Sequence, residues 1–183
     1  MSDLVRNKEQ AMSDLVRNKE ESMSDLVRNL VALVVAVGAP LAVGGISSIA
    51  TISAIPTWYR GLSKPAWNPP DWVFGPAWTV LYILMGVAAW LVWRAGWGNS
   101  AVKVALVFFA VQLVFNGLWT VLFFGLRSPG AGLVEIIILW LLIVATMVLF
   151  FRVDRLAGVL LLPYLAWVTF ASALNAAVWS LNR

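Results

Sequence analysis

Five long apolar segments dominate the chain, and its charged residues lie mainly in the stretches between and before them. Each segment is close to the length of about 20 residues that an α-helix needs to cross a hydrocarbon layer of roughly 30 Å. The breaks between the last four segments are short, so consecutive helices are expected to run antiparallel and side by side. The pattern predicts an all-α membrane protein, a five-transmembrane-helix bundle with spans at about 30–50, 76–93, 101–124, 131–151 and 156–181.

A polar repeat precedes the first span. The sequence MSDLVRNKE begins at Met1 and again at Met12, and MSDLVRN begins at Met23, so the period is 11 residues. That period aligns the leucine of each copy along one stripe of a helix. We interpret the repeat as a duplicated start, with translation beginning at Met23, and the alternative is a helix that lies on the membrane or binds a partner. The chain is thus divided into a polar tail, 1–29, and a transmembrane domain, 30–183.

The connection between the first two spans, residues 51–75, is rich in proline and tryptophan. Its four prolines forbid a continuous helix. Its large rings, among them Trp58, Trp67 and Trp72, would be costly to leave in water. We therefore expect an ordered loop that lies on the bundle.

Small residues recur at every fourth position of the first span: Ala32, Ala36, Pro40, Gly44 and Ser48. Such a ridge lets a neighbouring helix approach closely in lipid. Pro40 is expected to kink this helix without ending it, because partner helices can satisfy the freed carbonyl group.

Composition narrows the functional classes. Hydrophobic residues make up 61% of the chain and charged residues 12%, which is too apolar for a soluble domain of this size. The absence of cysteine and histidine removes disulfides, thiolate nucleophiles and the commonest metal ligands, so no metal site is predicted. The net charge of +4 is scattered over segment ends, which is typical of interfacial anchoring in a lipid bilayer and not of a nucleic-acid partner. The charges identify neither the membrane nor the orientation in it.

Three polar side chains fall on one face of the third span. Gln112, Asn116 and Thr120 are spaced at i, i+4 and i+8, and amide groups in hydrocarbon need hydrogen-bond partners. One interpretation is polar contact between helices. The other is a stripe facing an internal cavity, in which Asn116 orients a ligand.

The last span places a large ring beside small residues. Trp167 and Ala171 are four residues apart, so the indole would stand above a gap on the same helical face. The alternatives are a ligand pocket and a packed core.

Glu135 is the acid that lies clearly inside an apolar segment. It is near the start of the fourth span, where it can snorkel to water and where negative charge is favourable. The functional alternative is a proton relay.

The sequence contains no nucleophile with a base, no carboxylate pair and no cluster of metal ligands, so ordinary acid–base catalysis is not expected. What remains is chemistry performed by a bound ligand held among oxidisable indoles, for instance a photosensitiser. We expect no catalytic residue unless such chemistry occurs.

The segment WYRGLSKPAWNPPDWVFGPAW, residues 58–78, resembles the translocator protein family, also called tryptophan-rich sensory protein or peripheral benzodiazepine receptor. Similar stretches follow over about residues 30–182. They are LYILMG, QLVFNGLW, FFGLR, LPYLAW and LNAAVW, which begin at Leu81, Gln112, Phe123, Leu162 and Leu174.

This resemblance implies a five-helix bundle, often a homodimer, that binds porphyrins such as protoporphyrin IX and other flat apolar molecules. No cofactor is required, and the porphyrin is a ligand. By position, the ligand-contacting residues are expected to be Trp67, Trp72, Trp78, Asn116, Trp119, Trp167 and Ala171. The proline-rich loop resembles the family's pocket lid. The residues matching Trp78 and Trp167 are those implicated where members degrade porphyrin with light and oxygen.

One departure concerns sterols. Animal members carry a tyrosine and then a basic residue near the end of the fifth helix, where this chain has Ala176 and Ser180, so sterol binding is not carried over. The absence of histidine favours a metal-free porphyrin over haem, with Met85 and Met147 the remaining side chains able to ligate iron.

Three functions therefore compete: a binding or sensory protein, a tetrapyrrole transporter and a light-dependent porphyrin-degrading catalyst. The predicted binding geometry is a planar ligand sandwiched between Trp78 and Trp167, with a hydrogen bond from Asn116. No ladder of intramembrane charges supports ion-coupled transport, so binding without turnover is the simplest prediction.

Overall fold

The computed structural model describes the backbone of residues 2–183 and the side chains from Met12 onward. Regular structure in this part of the chain is helical, with no strand. The α-helices are α1 (Ser2–Ala54), α2 (Phe74–Arg94), α3 (Ser100–Thr120), α4 (Pro129–Val153), α5 (Arg155–Leu160) and α6 (Leu162–Leu181). π-helical turns follow α1 (Ile55–Tyr59) and α3 (Val121–Gly125), and a 3-10 turn (Asp71–Val73) leads into α2.

Five helical segments among the described residues are long and apolar enough to cross a membrane. This confirms the all-α, five-span prediction. The segments are Met12–Tyr59, Asp71–Arg94, Ser100–Gly125, Pro129–Val153 and Arg155–Leu181.

The first span extends further than the sequence pattern predicts. Helical structure continues past residue 50, through the end of α1 at Ala54 and a π-helical turn to Tyr59. Pro56 lies in that turn. Because proline has no N–H and its ring crowds the preceding turn of a continuous helix, the local change from α- to π-helix accommodates it.

The proline-rich connection is packed onto the bundle, as predicted. Tyr59 Oη donates to Asn68 Oδ1 at 2.9 Å, and the backbone of Ser63 exchanges two hydrogen bonds with the Asn182 side chain. The Trp67 ring packs against Phe170 with ring centroids 5.7 Å apart. These contacts fix the loop at both its start and its middle.

The final span is divided in two. A turn at Leu161 separates α5 from α6, whereas the sequence predicted one continuous helix over 156–181. Pro163 explains the break, because it supplies no N–H and its ring crowds the carbonyl group four residues before it. The two pieces still make up one membrane-crossing segment.

The chain forms two compact units, the first ending at Val35 and the second covering residues 36–183. In the first unit, Leu15 and Leu26 of the repeat are exposed, and the exposed pair Arg17 and Asp14 lies 3.0 Å apart. Leu4, which the repeat would place on the same stripe, lies outside the described side chains.

The core of the second unit lies among α2, α3, α4, α5 and α6. α4 packs against both α3 and α6. The tightly buried core residues include Met85, Val92, Val102, Ile136, Leu139, Ile143, Phe150, Tyr164 and Val168. This packing leaves a space at the other side of the unit, beside the C-terminal part of α1.

Candidate ligand-binding cavity

A cavity of about 470 Å³ lies between α1, α2, α3 and α6. Its volume falls within the range of pockets that hold small organic ligands, roughly 300 to 1,000 Å³. The wall is mainly apolar and aromatic, with a few hydroxyl and amide groups. Its main lining residues are Leu41, Gly44, Ser48 and Ile52 from α1, Trp78 and Tyr82 from α2, Trp119 and Thr120 from α3, Phe123 after α3, and Trp167, Ala171, Leu174 and Asn175 from α6.

Trp78 and Trp167 meet at this cavity. Their ring centroids are 6.5 Å apart and their planes are inclined at 85°, an edge-to-face contact. Trp78 also stacks on Tyr82 at 5.4 Å and 27°. The two indoles therefore form a corner of the wall, and the predicted sandwich of a ligand between them is wrong for this arrangement, because the rings already touch each other and are not parallel.

Trp119 is held firmly in the wall. Its Nε1 donates to Asn175 Oδ1 at 3.1 Å, and its ring stacks on Phe123 with centroids 5.2 Å apart. Asn175 Nδ2 in turn donates to the carbonyl oxygen of Pro129 at 2.7 Å. This network ties the cavity wall on α3 and α6 to the start of α4.

Ala171 lines the cavity one turn after Trp167. The small side chain leaves the space beside the indole that the spacing of the two residues predicts. Packing has therefore not filled this position, although ligand contact by Ala171 remains a prediction.

Asn116 lies behind the cavity wall. It is 2% exposed and is not among the lining residues. Tyr82 Oη donates to Asn116 Oδ1 at 2.8 Å, Asn116 Nδ2 donates to Tyr164 Oη at 3.0 Å, and Tyr164 Oη donates to Gln112 Oε1 at 2.9 Å. Of the polar stripe on α3, only Thr120 lines the cavity, and a direct contact between Asn116 and a ligand would require Tyr82 to move.

The two loop tryptophans lie outside the cavity wall. Trp72 is 75% exposed, and Trp67, about half exposed, packs on Phe170. Tyr59 and Asp71, which belong to the same connection, do line the cavity. The role of the loop as a lid and the ligand contacts of its tryptophans stay predictions.

Sequence reasoning missed several lining residues, chiefly Tyr82, Phe123 and Asn175. All three occur in motifs that carried the family resemblance, LYILMG, FFGLR and LNAAVW, but none was given a role at the site. On α1, Gly44 and Ser48 belonged to the ridge interpreted as helix packing. Gly44 serves both purposes, because a Cβ there would collide with the Tyr82 ring while the residue also faces the cavity.

Glu135 does not snorkel to water. It is 4% exposed, and neither carboxylate oxygen has a hydrogen-bond partner among the described residues. The Nε2 atom of Gln112 is also buried and unpaired there. Neither Glu135 nor Gln112 lines the cavity, so the structure does not connect the hypothesised proton relay with the cavity.

Iron ligation by methionine is not supported in this cavity. Met85 is fully buried in the core, Met147 packs against that core, and neither is a lining residue. Within the described part of the chain, no group of three or more acidic, histidine or cysteine side chains is placed to hold a metal ion.

Comparison with known proteins gives the family. A family profile described as TspO/MBR family matches residues 36–180. The tryptophan-rich protein TspO of Chlorobaculum tepidum is 48% identical over 153 residues, which is 84% of this chain and 97% of that protein. The tryptophan-rich sensory protein of Cereibacter sphaeroides is 47% identical over 125 residues, 68% of this chain and 77% of that protein. The human translocator protein is 44% identical over 128 residues, 69% of this chain and 75% of that protein. With five membrane-crossing segments and these relatives, the chain is an integral, multi-pass membrane protein that belongs to the TspO/MBR family.

Proposed function

We propose that the protein binds a porphyrin such as protoporphyrin IX in the cavity between α1, α2, α3 and α6, and that the bound state serves a sensory or transport role. The observation that carries the proposal is the joint lining of one cavity by Trp78, Trp119 and Trp167. Aromatic walls suit a flat, conjugated ligand. A sensory role agrees with the name of the Cereibacter sphaeroides relative.

Apolar burial provides most of the binding energy in this proposal. Each aromatic contact adds about 0.5 to 1.5 kcal/mol beyond burial, whereas micromolar affinity requires about 8 kcal/mol. Removing roughly 300 Å² of apolar ligand and wall surface from water supplies a similar amount at about 25 cal/mol per Å². The indoles therefore select the ligand's shape, and the whole apolar wall sets its affinity.

Polar groups on the wall orient the ligand. The hydroxyl groups of Ser47, Thr51 and Thr120 line the cavity and suit the carboxylates of a porphyrin as hydrogen-bond donors. Asp71 also lines the cavity, and its negative charge repels another carboxylate. The propionate groups therefore point away from Asp71.

The test is a titration of the purified protein with protoporphyrin IX in the dark, read by quenching of tryptophan fluorescence. Ala171→Leu fills the space beside Trp167 and should weaken binding about tenfold or more, equivalent to roughly 1.4 kcal/mol. Ala173→Leu is the matched control, because Ala173 lies on the same helix, is exposed and does not line the cavity. Equal affinities for the two variants would place the binding site elsewhere.

Light-dependent degradation is the second candidate function. The edge-to-face contact of Trp78 and Trp167 supports it, because two oxidisable rings then lie side by side at the cavity wall. Repeating the titration under illumination separates the functions. A stable porphyrin spectrum favours a binder, whereas bleaching that depends on both tryptophans favours a catalyst.

A further inference from the structure

The cavity reaches the outside of the protein between α1 and α2. Gly45 and Ile52 on α1 line the cavity and are also exposed, and the same holds for Gly75 and Thr79 on α2. Ile52, for example, is 71% exposed. A residue that faces both the cavity and the exterior lies at the rim of an opening, and here the rim is formed by these two helices.

The two helices are in close contact at one end of this gap and apart at the other. A Cβ on Gly86 would collide with the α1 backbone at Val37, so α1 and α2 touch at this level. A Cβ on Gly44 would collide with the Tyr82 ring, so contact between the helices extends as far as Tyr82. A Cβ on Gly45 or Gly75 would meet no atom of a neighbouring helix within 4 Å. The helices therefore separate between Tyr82 and Gly75, and glycine leaves this end unobstructed.

The opening lies within the membrane-crossing part of the chain. Its rim belongs to two membrane-crossing segments, Met12–Tyr59 and Asp71–Arg94. From Gly45 to Ile52 the rim runs for roughly 10 Å along α1 at about 1.5 Å per residue, about a third of a hydrocarbon layer of roughly 30 Å. A molecule that uses this opening comes from the hydrocarbon region and must itself be largely apolar.

We propose that the gap between α1 and α2 is a lateral portal through which the ligand passes between the bilayer and the cavity, kept open by Gly45 and Gly75. The proposal rests on the proposed function and extends it to the class of ligand. The ligand is dissolved in the membrane, enters with its flat apolar body first, and need not cross water to reach the indoles.

The kinetic test uses the Gly45→Leu and Gly75→Leu double variant in proteoliposomes. Protoporphyrin IX delivered from donor vesicles quenches tryptophan fluorescence, and excess empty vesicles then extract it. We expect the leucines to slow both association and dissociation by about tenfold, since an obstructed passage adds a barrier in both directions. Gly38→Leu is the matched control, because Gly38 lies on the same stripe of α1, is open to the same degree and does not line the cavity.

Two results would overturn the portal proposal. One is unchanged rates in the double variant. The other is faster dissociation with weaker binding, because this indicates damage to the cavity and not an obstructed path.

A second measurement does not require porphyrin. The chain contains no cysteine, so Ala171→Cys places a single thiol on the cavity wall. A lipid-soluble maleimide in the bilayer should label this thiol, and the two leucines should slow labelling about tenfold while Gly38→Leu does not. Equal labelling rates in all three proteins contradict the portal proposal. If the two leucines slow labelling as expected but protoporphyrin IX does not quench the tryptophan fluorescence, only the proposed function is contradicted.

Discussion

Asn116 illustrates how a buried amide is used in this bundle. Amide groups in a membrane interior need hydrogen-bond partners, and Asn116 finds two tyrosine hydroxyls, Tyr82 on α2 and Tyr164 on α6. Tyr82 in turn stacks on Trp78 at the cavity. The residue predicted from sequence to orient a ligand thus positions the tyrosine that faces the cavity.

Replacing Asn116 with alanine tests this assignment. Asn116→Ala leaves both tyrosine hydroxyls without this partner and should cost about 1 to 3 kcal/mol of stability, with weaker porphyrin binding as a secondary effect. If Asn116 instead oriented a ligand directly, as one interpretation of the sequence had it, the variant would weaken binding while the bundle stayed folded. Thermal unfolding in detergent, compared with Thr120→Ala, decides between these expectations, and an unfolding temperature equal to wild type would contradict the structural role.

Among the elements, hydropathy predicted the five spans because lipid requires continuous apolar helices. It did not predict how they end. The first span continues to Tyr59 through a π-helical turn that accommodates Pro56, and the last is interrupted before Pro163. A proline can begin, kink or break a helix. Which of these occurs depends on the packing of neighbouring helices, which the local sequence pattern does not describe.

The contact between α1 and α2 gives a prediction at this scale. Gly86→Ala forces a Cβ against the α1 backbone at Val37, which cannot rotate away as a side chain can, so we expect a loss of about 1 to 3 kcal/mol. Gly38→Ala, in open space on α1, should be neutral or stabilising by up to about 1 kcal/mol through helix propensity. Thermal unfolding of both variants measures the difference, and equal shifts would show that the two helices do not pack closely.

In the whole molecule, the cavity arises where four helices meet, which explains how much of it the sequence predicted. Trp78, Trp119 and Trp167 could be identified because large rings in a motif are conspicuous. The α1 side of the wall, with Gly44 and Ser48, could not, because small residues serve close packing and open space equally well. The rotation of α3 about its axis decides whether Asn116 faces the cavity or hydrogen-bonds Tyr82. The sequence of α3 alone does not determine that rotation.

The most direct test of the account is an experimental structure of the protein with protoporphyrin IX bound in a lipid environment. We expect the macrocycle to lie in the cavity against Trp78, Trp119 and Trp167, with Asn116 still bonded to Tyr82 and the propionates directed away from Asp71. A porphyrin bound on the outer, lipid-facing surface, with the cavity unchanged and empty, would contradict the central claim.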